Sequence, residues 1–272
     1  MDIIKTIFLG IVQGLTEFLP VSSSGHLVLF QRIFGMPETG LLLEILLHVG
    51  TLVAVLVVFW QDWWDMLRRL PSSRTFRLLV VATIPAVIVT LLFDDLIEQA
   101  FSGVFLGFGF LVTAALLFAS DWLANRSGSA SRHVRSSVEE MRYQQALAMG
   151  VMQAVAIVPG ISRSGATIVG GLASGTPRRT AAKFSFMMSA VATLGSLVFK
   201  LKDFIGEGQV VFAGGWVAAI LGMIVAGITG YLTIRWMMRL IQRVSLKWFG
   251  LYTAILGAFV IVDQLVLKLI FQ

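Results

Sequence analysis

Residues 13–26 read QGLTEFLPVSSSGH. An apolar run from Ile3 to Leu19 carries Gln13, Thr16 and Glu17 into this stretch, then meets Pro20, three serines, Gly25 and His26. The apolar run that follows, Leu27–Phe34, is too short to cross a bilayer at about 1.5 Å per residue. A helix, a polar turn and a short return are the pattern of a hairpin that enters a membrane and leaves by the same side. Irregular backbone at that depth is tolerated only when buried in protein or lining a wet cavity. The stretch therefore calls for a membrane protein with an internal polar site.

Composition agrees. The 272 residues are 57% hydrophobic and 13% charged, with a mean hydropathy of +0.87, whereas a soluble domain is about a quarter charged. The net charge of +6 fits basic loops against an anionic leaflet. No zinc-knuckle or nucleic-acid-reading pattern is present, and the absence of cysteine excludes disulfide and thiolate chemistry. The apolar start reads as a retained segment, since Asp2 dilutes the positive region and no A-x-A site follows.

Six stretches have the length and character of spanning helices, 41–60, 76–93, 104–123, 183–200, 211–234 and 248–267. A second hairpin is expected at Ala146–Leu172, broken at Pro159-Gly160. It resembles the first at an offset of about 140 residues: Gly10-Ile11-Val12-Gln13 aligns with Gly150-Val151-Met152-Gln153, and Val21-Ser22-Ser23-Ser24-Gly25 with Ile161-Ser162-Arg163-Ser164-Gly165. The chain reads as an internal duplication. The expected fold is an all-α polytopic membrane protein built as an inverted repeat. Residues 1–123 form the first half (hairpin 3–35 and three spans), 124–144 a cytoplasmic linker, and 145–272 the second half (hairpin 145–175 and three spans). Three spans per half is an odd number, so the second half must sit upside down relative to the first, as in many transporters. The segments 61–77, 124–144, 176–183 and 235–247 hold most of the 21 Lys+Arg, and only Lys5, Arg32, Lys200, Lys202 and Lys268 fall on the other side. That bias puts the first group in the cytoplasm and both termini outside. Asp94, Asp95 and Glu98 then lie outside, where acids have little weight in topology.

Hairpins entering from opposite faces can meet at their tips. Gly25 and Gly165 permit tight turns. The half-helices, expected to start near Leu27 and Thr167, present amide N–H groups and a positive dipole end to an anion. Arg163 adds a planar, permanent cation. With Ser22, Ser24, Ser162, Ser164 and Thr167 this describes a pocket for a polyanion such as a phosphate ester, although serine-rich turns also serve to satisfy freed backbone groups. Glu17 beside a phosphate needs a proton or a cation between them. It is a candidate general base or ligand to Mg²⁺ or Ca²⁺, and Gln13, one turn earlier, offers an amide oxygen. His26 could act as base, as proton donor or as nucleophile. Ser23, aligned with Arg163, could attack phosphorus if His26 or Glu17 takes its proton, or a water could attack without a covalent step. An ionised group at membrane depth costs about 3 kcal/mol on insertion scales, so Glu17 and Arg163 read as functional, with a structural ion pair as the alternative. Glu44 and His48, at i and i+4, are weaker candidates. Gln153 reads as a packing amide, His133 as a solvated loop residue, and Trp60, Trp63 and Trp64 as an interfacial belt. The glycines within 103–109 and 214–230 suit close helix packing.

These residues resemble the undecaprenyl-diphosphate phosphatase family, the bacitracin-resistance type of bacterial membrane phosphatase. The family's [E/Q]-x-x-x-E is here Gln13-Gly14-Leu15-Thr16-Glu17, and its F-L-P-[VI]-S-S-[ST]-G-H is Phe18 to His26. The second motif, P-G-x-S-R-S-x-x-T, reads Pro159 to Thr167, and Ala182-Lys183-Phe184-Ser185-Phe186 is also similar. The resemblance implies removal of the terminal phosphate of undecaprenyl diphosphate, which recycles the carrier lipid of cell-wall synthesis. It further implies a divalent cation, a site facing the periplasm or outside of the bacterial cytoplasmic membrane, and active-site roles for Glu17, Ser23, His26, Ser162, Arg163 and Thr167. Gln13 is the neutral option of the first motif, so a two-carboxylate metal site does not follow. The partners expected are a polyprenyl diphosphate and membrane lipids, with no nucleic acid, and a homodimer is left open. The alternative of another class is a transporter or flippase of phosphate or a lipid phosphate, which would use the same pocket with no nucleophile.

Overall fold

The computed structural model describes residues 3–36, 41–93, 105–127, 137–206 and 215–271. Asp94, Asp95, Glu98, Gly103, Arg132, His133, Arg135 and Gly214 lie outside the described residues, and so does much of the expected linker. The described residues are helical throughout: α1 Ile3–Thr16, α2 Ser23–Ile33, α3 Leu41–Val58, α4 Trp60–Arg68, α5 Arg74–Leu92, α6 Leu106–Arg126, α7 Tyr143–Val155, α8 Arg163–Ala173, α9 Arg178–Gly206, α10 Trp216–Leu240 and α11 Lys247–Val262. Five of them are long and apolar enough to cross a bilayer, or six if the bent pair α3–α4 is one span. The protein is a multi-pass membrane protein.

Several helix limits differ from the reading of the sequence, each for a local reason. Both half-helices start four residues earlier than expected, because a serine caps each. Ser22 Oγ accepts from the N–H of Gly25 at 3.4 Å, and Ser162 Oγ accepts from that of Gly165 at 3.1 Å. Helix α3 stops at Val58 and the chain bends by 77° into α4, where a loop was expected. There Trp60 and Trp64 are exposed, but Trp63 is buried in the core rather than in an interfacial belt. Helix α9 begins at Arg178, ahead of the expected 183. Helix α11 gives way to a π turn at Asp263–Leu267, where the Asp263 carboxylate accepts from the backbone N–H of Leu269, Ile270 and Phe271 at 2.9–3.1 Å.

Helix pairing follows the sequence duplication. The first hairpin helix, α1, packs on α10, and its counterpart, α7, packs on α5. Both seams rest on small residues that correspond at the offset of 140. A Cβ added to Gly10 would strike the backbone oxygen of Gly222, and one added to Gly150 would strike that of Ala82. Helices α6 and α11, the last spans of the two halves, pack on each other, as do α3 and α9. One pair departs from this reciprocity. Helix α3 is packed closely along α10, whereas the equivalent pair, α9 and α5, diverges. Between them lies an apolar groove of about 570 Å³ lined by residues such as Leu56, Trp63, Leu79, Ile84, Val87 and Leu194.

Candidate active site

The first hairpin helix ends at Thr16 and the chain turns through Glu17–Val21, which includes Pro20, and Gly160, at φ 86°, turns the second where a side chain would be strained. The second tip is seated on α6: Thr113 Oγ1 donates to the Gly160 carbonyl at 3.0 Å and accepts from the Ser162 N–H at 2.8 Å. The first tip packs Gly25 against the Phe110 ring. Ser164 Oγ then donates to the Leu19 carbonyl at 2.9 Å, tying one tip to the other.

At their junction the two halves share one carboxylate. Arg163 donates through a guanidinium nitrogen to Glu17 Oε1, and Ser23 Oγ donates to Oε2 at 2.6 Å. Ser23 and Arg163 are repeat-equivalent positions, so the two oxygens of Glu17 are gripped by equivalent donors from opposite halves. Gln13 Nε2 adds a bond to Oε2 at 3.1 Å, and His48 Nε2 lies 3.8 Å from the same oxygen. The Glu17 side chain is 3% exposed and that of Arg163 is 25% exposed. The acid therefore sits behind the guanidinium.

Burial sorts the expected residues into a front and a back. Among residues 20–26 and 160–167, only Ser23, Ser24 and Arg163 are partly exposed. Ser22 and Ser162 are buried as caps. Ser164 is buried in the tip-to-tip bond, and Thr167 bonds the Ser185 hydroxyl at 2.7 Å and its own helix. The Gly25 and Gly165 amides are held by those caps. His26 is buried, with Nδ1 2.7 Å from the Ser22 carbonyl and Nε2 2.7 Å from the Tyr252 hydroxyl. The i, i+4 pair is arranged differently from its spacing. His48 Nδ1 bonds the Glu44 backbone carbonyl at 2.8 Å, and its Nε2 faces Glu17, at the end of another helix. Tyr252 and Thr113 had no signal in the sequence, and Ser185 only that of the similar stretch Ala182–Phe186. Tyr252 and Thr113 each lie far along the chain from their partners, and a single hydroxyl on an apolar helix marks nothing by itself.

A hard cation can be tested against these atoms. Among the described residues no group of three or more His, Asp or Glu side chains is placed to hold a metal ion. Gln13 Oε1, however, is buried with no hydrogen-bond partner beside Glu17, and Ser23 supplies a third oxygen. One carboxylate with neutral oxygens suits a Mg²⁺ or Ca²⁺ ion that completes its shell with phosphate oxygens. The residues fit such a cation in company with a phosphorylated ligand.

Comparison with known proteins covers the same ground. The family described as Bacitracin resistance protein BacA matches residues 6–259. The undecaprenyl-diphosphatase of Halothermothrix orenii is 41% identical over 96% of this chain and 98% of its own. That of Carboxydothermus hydrogenoformans is 40% identical over 97% and 98%, and undecaprenyl-diphosphatase 3 of Bacillus cereus is 38% identical over the same shares. The match runs from α1 into α11 and includes both tips and the Glu17–Arg163 junction, so the chain belongs to the bacitracin resistance protein BacA family.

Proposed function

We propose that this chain is an undecaprenyl-diphosphate phosphatase, which hydrolyses the diphosphate to undecaprenyl phosphate and inorganic phosphate. It thereby recycles the carrier lipid and supports bacitracin resistance. The observation that carries the chemistry is the shared carboxylate: a buried Glu17 holding the hydroxyl of Ser23 on one oxygen and the guanidinium of Arg163 on the other. The asymmetric distribution of Lys and Arg supports a bacterial inner-membrane protein with this site opening to the outside.

Arg163 and the first-turn amides of α2 and α8 receive the diphosphate. As the guanidinium turns to phosphate, Glu17 loses its strongest partner and becomes the stronger base. The Ser23 proton passes to Glu17, and Oγ forms a bond to the terminal phosphorus. The bond to the bridging oxygen breaks, its electron pair leaving with undecaprenyl phosphate. Water then attacks the phosphoserine, Ser23 regains its proton, and phosphate departs. Throughout, Arg163 stabilises the charge on the phosphoryl oxygens. A divalent cation held by Glu17, Gln13 Oε1 and Ser23 would neutralise phosphate charge. Neither nitrogen of His26 is open to phosphorus, since both are engaged, which favours Ser23 over the imidazole as nucleophile. The isoprenoid tail stays in lipid and needs no enclosed cleft.

The test is phosphate release from undecaprenyl or farnesyl diphosphate by the purified protein in detergent, with Ser23→Ala alongside. Hydrolysis by the native chain and its loss in the variant, with a phosphoserine at Ser23 in acid-quenched wild type, are expected. A native chain that moves lipid phosphate across vesicles without releasing phosphate would overturn the enzyme in favour of a transporter.

A further inference from the structure

We propose that Tyr252 is a positioning residue of the active site, acting on His26 through a hydrogen bond from the second half of the chain to the first. This deepens the phosphatase reading and rests on it.

His26 is 3% exposed and lies four residues after the cap Ser22. Its Nδ1 faces the Ser22 carbonyl at 2.7 Å. A carbonyl only accepts, so the proton of the neutral ring is on Nδ1. Nε2 then has a lone pair, and the group 2.7 Å from it is the Tyr252 hydroxyl, which must donate. When His26 takes a second proton, the same hydroxyl rotates to accept. Tyr252 is thus a partner for both charge states of the ring, which a lone donor or acceptor is not.

The two rings lie within 13° of parallel with centroids 5.7 Å apart, and Phe110 meets the imidazole edge-on at 5.5 Å. The ring of His26 is therefore fixed in rotation by Phe110, in tautomer by Ser22 and in hydrogen-bond direction by Tyr252. Tyr252 itself is 47% exposed. His26 lies in the first turn of α2, whose Ser23 is the attacking group, so its orientation is coupled to the reacting tip. The two residues are 226 positions apart, and the bond is a further link between the halves beside Glu17–Arg163 and Ser164–Leu19.

Tyr252→Phe tests this, because it keeps the ring and removes only the hydroxyl at a half-exposed position. In detergent with farnesyl diphosphate, kcat falls by about ten-fold or more and KM stays within about two-fold. In a His26→Ala background the same exchange changes turnover by less than about two-fold, since its route of action is gone. With ¹⁵N-labelled histidine, of which the chain has three, the His26 Nε2 resonance moves toward that of a ring nitrogen lacking a donor. Wild-type kcat in Tyr252→Phe, an equal loss with and without His26, or an unmoved Nε2 resonance would each overturn the proposal. If the native protein releases no phosphate, the phosphatase reading itself has failed, while the nitrogen resonance still decides the Tyr252 bond.

Discussion

Removing the guanidinium of Arg163 should damage stability and turnover separately, and the structure sets the size of each. Glu17 is 3% exposed and Arg163 25% exposed at their side chains. Losing one partner of a pair this deeply placed leaves an uncompensated buried charge, worth about 3–5 kcal/mol. The cost falls at the low end, because Ser23 and Gln13 still donate to the carboxylate. About 3 kcal/mol corresponds to roughly 6–12 °C in melting temperature for a chain of this size. The assay is thermal unfolding of Arg163→Ala in detergent, compared with the double variant Arg163→Ala/Glu17→Gln. The double variant should recover part of the loss, because the amide is neutral and its burial needs no counter-charge. Turnover follows another logic. Arg163→Ala should lose about 10²–10³-fold in kcat, the amount typical of one missing transition-state donor, and the double variant, which also lacks the base, should be no more active. Arg163→Lys should restore the melting temperature more than the rate, since an ammonium supplies charge but no planar fork. The reasoning is refuted if Arg163→Ala melts with wild type, or if the double variant is less stable than the single one.

The seams between halves give a pair of opposite signs. Gly150→Ala drives a methyl into the backbone oxygen of Ala82 and should cost about 1–3 kcal/mol, whereas Gly195→Ala, in α9 with nothing within 4 Å, should be neutral or gain about 0.5–1 kcal/mol; melting curves of the two compare directly. Chelation of divalent cations should lower phosphate release and Mg²⁺ or Ca²⁺ should restore it, with Gln13→Ala raising the half-saturating cation concentration. Unchanged activity in chelator, with the metal content checked, would remove the cation from the scheme.

The junction was legible in the sequence because it repeats itself. Two polar elbows alike at one offset, one with an acid before it and one with an arginine inside it, imply a meeting place. The serines in them read less clearly. A hydroxyl that caps a helix and one that meets a substrate have the same letter, and only burial separates Ser22 and Ser162 from Ser23. Helix starts were misplaced for a related reason: the glycine three residues past each serine looked like a turn, but it is the third residue of a capped helix. The bend at Phe59 had no signal, since the apolar run continues across it to Trp60 and the Trp60–Arg68 helix, with Gln61, Asp62 and Asp65, resembles a polar loop. His48 was visible as one member of an i, i+4 pair, yet its partner in space is Glu17, on another helix. Long-range bonds such as His26 to Tyr252 are set by the angle at which helices cross, and no local pattern contains that angle.

The two-fold correspondence is also broken in a specific way. Arg163 answers to Ser23, and Glu17, moved by the same 140 positions, answers to Ile157. One cation, one hydroxyl, one acid and one hydrocarbon occupy four related places. Two identical subunits facing each other in a bilayer have no means of writing such a difference, because every substitution would appear twice. Fusion of both copies into a single gene lifts that restriction, and it lets one centre near the symmetry axis divide the labour of attack and charge recognition between its two sides.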